Sequence, residues 1–157
     1  MKFIVDLTMG KLVKWLRIAG YDTVFYNSVE VDRIIEIASK EGRIILTRNS
    51  NFIKRRKKTL EERGVQYLLL ASEIVDMQLR DIAAHFMLNL KKNSFTICID
   101  CNKPLTNISK EDVAGKVPEY VYQNYSEFVQ CNSCGKIFWA GTHKKRMDDR
   151  IAAILEN

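Results

Sequence analysis

No apolar stretch in this chain approaches the roughly 20 residues that a helix needs to cross a bilayer. The opening Met1–Asp6 is too short in apolar length for a signal peptide. The expectation is an intracellular, cytoplasmic protein with no membrane span. A Gly-rich phosphate loop is missing too, because Gly10-Lys11 lacks the upstream glycine of a P-loop. So is the serine-centred elbow of the α/β hydrolases. Internal repeats and low-complexity segments are absent. Histidine is scarce, with two residues in 157. His85 falls inside a long helical pattern, and His143 sits beside Lys144-Lys145-Arg146, where a phosphate contact suits it better than general acid–base work. Only four cysteines are present, and in a reducing compartment that number points to metal ligands rather than disulfides.

What is present is positive charge and alternation. Lys and Arg total 25 against 19 Asp and Glu, for a net charge of +6 and a pI near 9.2. That balance fits nucleic acid or another anionic partner. Phe3-Ile4-Val5 reads as a strand ending in Asp6, and Lys11–Ala19 as a helix with Leu12, Leu16 and Ala19 inward and Gly20 after its end. Thr23–Tyr26 is β-branched and aromatic, a second strand. A second helix starts at Ser28 or Glu30 and stops at Gly42. Arg43–Leu46 is a third strand, and Ser50 or Asn51 offers a cap for a third helix ending at Gly64. Val65–Leu70 is a fourth strand, and Ser72 caps a fourth helix running to about Leu90. Strands alternating with helices predict a parallel sheet with helices on both faces, a three-layer α/β domain.

In such sheets, sites form beyond the carboxyl ends of the strands. That rule collects Asp6, Glu30, Asp32, Thr47, Arg48 and Asn49 on one rim. Asp6, Asp32 and Glu30 are candidate carboxylates for Mg²⁺ or Mn²⁺, the ions that commonly assist phosphodiester cleavage. Asn49 joins them as an oxygen donor without charge. Beside the rim, Arg43 to Lys58 holds seven bases and no acid, five of them consecutive: Lys54, Arg55, Arg56, Lys57 and Lys58. With Lys11, Lys14, Arg17, Arg48, His143, Lys144 and Lys145, they form the expected polyanion-binding set.

After Asn93 the character changes, which divides the chain into 1–93 and 94–157. Phe95-Thr96-Ile97 leads into Cys98 and Cys101, and Phe128-Val129-Gln130 into Cys131 and Cys134. Two CxxC knuckles separated by 29 residues, each entered from a strand, describe a zinc ribbon. A Cys₄ site is closed, so the ion is structural. Asn102 and Gly135 suit the tight backbone just past each knuckle. The intervening Lys103–Pro118 has few apolar residues. A helix over about Lys144–Leu155 closes the chain. Phe138 and Trp139, near basic residues, suit either base stacking or covering the small ribbon core.

These residues resemble a known family, the PIN-like RNase domain fused to a zinc ribbon that is named after the C-terminal part of the Mut-seven protein. The resemblance runs through Asp6, Met9-Gly10-Lys11-Leu12, Trp15-Leu16-Arg17, Gly20-Tyr21-Asp22, Ala38, Glu41-Gly42-Arg43 and Leu46-Thr47-Arg48. It continues in Cys98, Cys101-Asn102, Cys131, Cys134-Gly135, Trp139, Gly141 and His143. It implies a PIN-like α/β fold, metal-dependent ribonuclease ancestry and structural zinc. The family's Thr-Arg-Asp appears here as Thr47-Arg48-Asn49, which removes one carboxylate. Two readings stay open. One is an RNA-binding, divalent-metal-dependent endoribonuclease with a weakened acidic site. The other is a catalytically silent RNA-binding protein associated with ribosomes or ribosomal RNA.

Overall fold

The computed structural model describes residues 1–156, apart from the side chains of Val31 and Glu156. Four parallel strands form the first sheet: β1 (Lys2–Asp6), β2 (Asp22–Tyr26), β3 (Ile44–Thr47) and β4 (Tyr67–Leu69). Their spatial order is β2-β1-β3-β4. The connections are α1 (Gly10–Ile18), α2 (Val31–Glu41) and α3 (Ser50–Glu62), and α4 (Val75–Phe86) follows β4. β1 and β3 are the central strands, buried on both faces, so they read as unbroken apolar runs. The pleat sends alternate residues to opposite sides. Phe3, Val5, Ile44 and Leu46 enter one core with Leu12, Leu16, Leu79 and Ile82. Ile4 and Ile45 enter the other with Ile34, Ile35, Phe52 and Leu60. The result is the expected three-layer α/β arrangement.

The second sheet is antiparallel, in the order β5 (Leu105–Ile108), β6 (Phe128–Cys131) and β7 (Ile137–Trp139). A short helix, α5 (Glu119–Asn124), packs Val121 on Val113 and Phe128 in a small third core. The last helix, α6 (Thr142–Glu156), leaves the ribbon and returns to the first unit, where Ile151 and Ile154 join the core of α1 and α4. Arg150 stacks over Trp15 at 4.5 Å and pairs with Asp76 at 2.7 Å. Among the described residues no helix is long and apolar enough to cross a membrane.

Several local expectations shift. The third helix is capped by Asn49, whose side-chain oxygen accepts from the Phe52 N–H at 2.9 Å, and not by Ser50 or Asn51. The fourth helix stops at Phe86, four residues before Leu90, because Met87 takes a left-handed conformation with φ of 52°. Phe95-Thr96-Ile97 contributes only an isolated bridge from Ile97 to Pro104. The Lys103–Pro118 segment, with its few apolar residues, holds β5. Its Leu-Thr-Asn-Ile pattern half-buries both apolar residues and exposes Thr106 and Asn107. The two apolar residues stand at the strand's ends and do not alternate, so no period-2 signal marks this strand in sequence.

The two units are joined by a buried polar network. Arg43 is only 7% exposed. It donates to Asp22 at 2.7 Å and 3.3 Å, to Glu41 at 2.7 Å and to the Phe3 carbonyl at 3.2 Å. Asp22 also accepts from the Asn102 amide at 2.5 Å, and the Asn102 side-chain oxygen accepts from the Thr23 N–H at 2.8 Å. Arg17 donates to the carbonyls of Thr23, Ile99 and Asp100 at 3.0, 2.8 and 2.8 Å. The sequence places Arg17 among the RNA-facing cations. Its guanidinium instead ties the first zinc knuckle to β2, and burial lowers its pKa. At Gly20, φ is +84° and an added Cβ would lie 2.0 Å from the Asn93 carbonyl oxygen. The chain entering the ribbon crosses there, and only glycine fits.

Burial alone would raise the Asp22 pKa, but the hydrogen bonds from Arg43 and Asn102 outweigh it and hold the carboxyl below its ordinary value. A carboxylate with a depressed folded pKa adds stability that is present at neutral pH and lost as pH falls through the folded value. Replacing Asp22 by Ala leaves Arg43 and Asn102 without their shared acceptor. It should cost about 3 kcal/mol, or roughly 10 °C in melting temperature at pH 7. Thermal melts from pH 7 to pH 3 should show the gap between wild type and Asp22→Ala narrowing below about pH 4.

Candidate nucleic-acid interface and metal centre

Asp6 ends β1, and β3 runs beside it, so the turn after Thr47 meets Asp6 directly. One Asp6 oxygen accepts from the Thr8 N–H at 2.9 Å and the Thr8 hydroxyl at 2.5 Å. This caps a single 3-10 turn, Leu7–Met9, that precedes α1. The other oxygen accepts a short hydrogen bond from the Thr47 hydroxyl. That hydroxyl accepts in turn from the Asn49 N–H at 3.0 Å. A carboxylate offers about four acceptor positions, and three are used here. Among the described residues no Lys or Arg is ion-paired with Asp6. The carboxylate is half-buried and opens on a cavity of about 230 Å³ lined also by Tyr26, Val29, Asn49 and Phe52.

Neither Glu30 nor Asp32 lines that cavity. Glu30 is the residue before α2, and its backbone carbonyl accepts from the Tyr26 hydroxyl at 2.7 Å. Asp32, in the first turn of α2, pairs with Arg56 of α3 at 2.7 Å. Asn49 does line the cavity, with its amide oxygen already used as a helix cap. The acids of the predicted rim are thus held apart. Among the described residues, the cysteines are the one set of three or more His, Cys, Asp or Glu side chains close enough to share an ion. Asp6, with neutral oxygens around it, does not match the several carboxylates that a two-ion site needs. Sequence reasoning missed Thr8 and Tyr26. An Asp-x-Thr at a strand end is an Asx-turn signal that marks Thr8, whereas nothing local marks Tyr26.

The five consecutive bases wrap around α3, because each residue turns the helix by about 100°. Arg56 is taken up by Asp32, while Lys57 and Lys58 lie 4.0 Å and 3.8 Å from Glu61 and Glu62. Lys54 and Arg55 are exposed, with no acidic partner among the described residues. Arg48 is ion-paired with Glu73. Lys11 and Lys14 are exposed on α1 and border a groove with Trp15, Glu73 and Arg150. His143, Lys144 and Lys145 lie at the start of α6, beside the ribbon. The expected basic set is therefore dispersed over α1, α3, the turn after β3 and the start of α6, with Arg17 at the first knuckle.

The cysteines come together. Their four Sγ atoms all lie within 4.8 Å of one another, and Cys98 and Cys134 are 3.8 Å apart. A tetrahedron with Zn–S bonds of about 2.3 Å has edges of about 3.8 Å. The knuckles match one another. The Asn102 and Gly135 N–H groups bond back to the Cys98 and Cys131 carbonyls at 3.0 and 2.8 Å. The Cys98 and Cys131 N–H groups bond forward to the Lys103 and Lys136 carbonyls at 2.8 and 2.9 Å. Both turns need positive φ, 58° at Asn102 and 74° at Gly135. Lys136 joins the knuckles through an ion pair to Asp100.

The thiols compete for one negative charge. Hydrogen bonding to Cys134 is the main cause that pushes Cys101 up to about 12, and burial raises Cys98. Burial opposes ionisation at Cys131 as well, but the N–H groups of Cys134 and Ser133 and the neighbouring thiols bring it down to about 7. A cation bound among them would supply the positive charge that lets all four ionise. These residues fit a structural zinc ion.

A parallel α/β/α domain with an aspartate at the end of a central strand, tied to a four-cysteine ribbon, defines an α/β class with an appended module that can hold a metal ion. The family comparison gives that class its name: the chain belongs to the Mut7-C RNAse domain family, whose model matches residues 1–151. Comparison with curated proteins and with solved structures finds no match in either. Family membership makes the function ribonuclease-like and RNA-related.

Freshly purified protein should contain one zinc per chain by elemental analysis. Because the ligands bind as thiolates, acidification should release it. Chelation at neutral pH should remove amide-exchange protection from 95–139, while β1 and β3 keep theirs. Cys98→Ser should reproduce the chelated pattern.

Proposed function

We propose that this chain is an RNA-binding protein on a ribonuclease frame. RNA is held at the strand-end rim, and divalent-metal-dependent endonucleolytic cleavage is centred on Asp6. The observation that carries the reading is the Asp6 carboxylate itself. It is held by the Thr8 and Thr47 hydroxyls, has no described cation paired to it, and faces a cavity that Phe52 of α3 helps to line; the same helix carries exposed Lys54 and Arg55. Those cations neutralise phosphates, and the hydroxyls keep the carboxylate aimed at the cavity. A Mg²⁺ or Mn²⁺ ion would supply activation of the attacking water. The charge available to hold that ion is low.

A specific observation favours a second reading. On the resemblance described above, Asn49 stands at the place of the carboxylate in Thr-Arg-Asp, and its oxygen serves α3 as a cap. An Asp there would cap equally well and add a charge. Its loss supports a catalytically silent RNA-binding protein, seated in the cytoplasm on the ribosome or ribosomal RNA. RNA-binding itself is common to both readings.

A structured RNA incubated with Mn²⁺ or Mg²⁺ separates them. On the first reading, cleavage falls at least 100-fold in Asp6→Asn, RNA affinity changes less than threefold, and Asn49→Asp cleaves several-fold faster. On the second, neither wild type nor Asp6→Asn cleaves, and both bind equally. In either case, changing Lys54, Arg55, Lys57 and Lys58 to Gln should weaken binding. It should also flatten the slope of log K against log[salt] by about one for each phosphate that is no longer neutralised. Cleavage equal in wild type and Asp6→Asn overturns the first reading. Binding insensitive to the four Gln substitutions overturns the role of α3.

A further inference from the structure

We propose that the zinc-ribbon face carries a second RNA site, separate from the Asp6 cavity, which holds unpaired bases by stacking on aromatic side chains. This inference rests on the RNA-binding reading above and adds a place and a form of RNA to it.

Between the ribbon and α6 lies a cavity of about 470 Å³, whose rings are Phe95, Tyr120, Tyr125, Phe138 and Trp139. That volume is within the roughly 300–1,000 Å³ of ordinary ligand sites. It shares no lining residue with the Asp6 cavity. A second recess of about 510 Å³ adjoins it, and Phe95, Phe138, Trp139 and Lys144 line both. An aromatic wall between two recesses suits successive bases of one strand.

Covering the small ribbon core explains part of this ring set. Trp139 and Tyr125 pack on the core of Val113, Val121 and Phe128. Tyr120 and Phe138 are packed into none of the three cores among the described residues, and Tyr120 is 69% exposed. Along β7 the pleat sends Phe138 to the side opposite Ile137 and Trp139. Gly141 is buried, and a Cβ there would stand 2.9 Å from the Trp139 indole nitrogen and 3.1 Å from its neighbouring ring carbon. The bare glycine lets the indole lie against the chain and keeps the cavity open.

The charge at this surface selects the occupant. His143 and Lys144 line the first cavity, and no carboxylate does. Lys144 lies 4.7 Å over the Phe95 ring, with Asp148 at 3.0 Å, and exposed Lys145 and Arg146 follow it. Glu127 lines the adjoining recess. Rings with cations at the rim bind single strands through base faces and phosphates, with little sequence preference. A duplex keeps its bases stacked on one another and cannot offer them.

The test uses full-length, zinc-loaded protein with two probes, a labelled ten-nucleotide oligouridine and an RNA duplex of equal length. Tyr120→Ala and Phe138→Ala should each weaken oligouridine binding about tenfold or more and leave duplex binding within twofold. Zinc content and melting temperature check the fold of each variant. Crosslinking of 4-thiouridine oligomers to wild type gives a measurement independent of the variants. Adducts on Tyr120, Phe138 or Trp139 support the site, and adducts confined elsewhere overturn it. Unchanged oligouridine affinity in both variants overturns it as well. Wild-type binding to duplex but not to oligouridine overturns this site and spares the RNA reading, whereas binding to neither probe overturns both. A wild-type dimer that Tyr120→Ala dissociates would assign the face to a second copy and overturn the proposal.

Discussion

The Asp22 carboxylate, shared by Arg43 and Asn102, is the constraint on which the arrangement of this protein rests. Arg43 is nearly inaccessible, and a guanidinium that has left water needs acceptors on most of its five N–H groups. Asp22, Glu41 and the Phe3 carbonyl supply them. Asp22 then reaches across to Asn102, just past the first zinc knuckle, and Asn102 accepts from the Thr23 N–H. β2 is an edge strand, and an edge strand exposes unpaired donors that invite aggregation. Here the knuckle covers one of them, and Arg17 fastens the same loop through Ile99 and Asp100. The metal module is thus clamped to the sheet by hydrogen bonds rather than hung from a linker, and α6 closes the circuit by returning to the α1 and α4 core.

That clamp gives the zinc site its purpose. A Cys₄ ion would catalyse nothing, but it would fix the knuckle backbone, including the left-handed Asn102, in the geometry that meets Asp22 and Thr23. Ordering the ribbon also positions β7 and the entry to α6, where the aromatic cavity forms. Binding energy for such an ion would also be folding energy for that surface.

The strand-end site shows a different compromise. Asp6 and Asn49 each have a structural duty, since one caps a 3-10 turn and the other caps α3. Capping requires an oxygen and not a charge. Asn49 therefore preserves the helix while lowering the negative charge at the rim. A surface with one carboxylate near exposed cations attracts phosphate more readily than one with several. An amide at this position leaves less charge for a metal ion than a carboxylate would.

Much of this is legible from local signals. Unbroken apolar strands, glycine stops and alternating elements are short-range consequences of burial and backbone sterics, and they read correctly as a parallel three-layer domain. The knuckles are legible because a tetrahedral ion demands CxxC spacing whatever surrounds it, and Asp6 because a charge at the end of a buried strand is costly without a purpose. Arg17 reads wrongly as a surface cation, because its acceptors Ile99 and Asp100 lie 82 and 83 residues away. The basic run spreads around α3 instead of lining one face, which adjacent letters do not show. Residue chemistry and periodicity thus specify the layers, the metal ligands and the acidic strand end, since each depends on neighbours within a few positions. Which cations face solvent, which acids stand apart from Asp6, and where the aromatic rings gather are matters of side chains meeting across long loops, and those meetings exist only once the chain has folded.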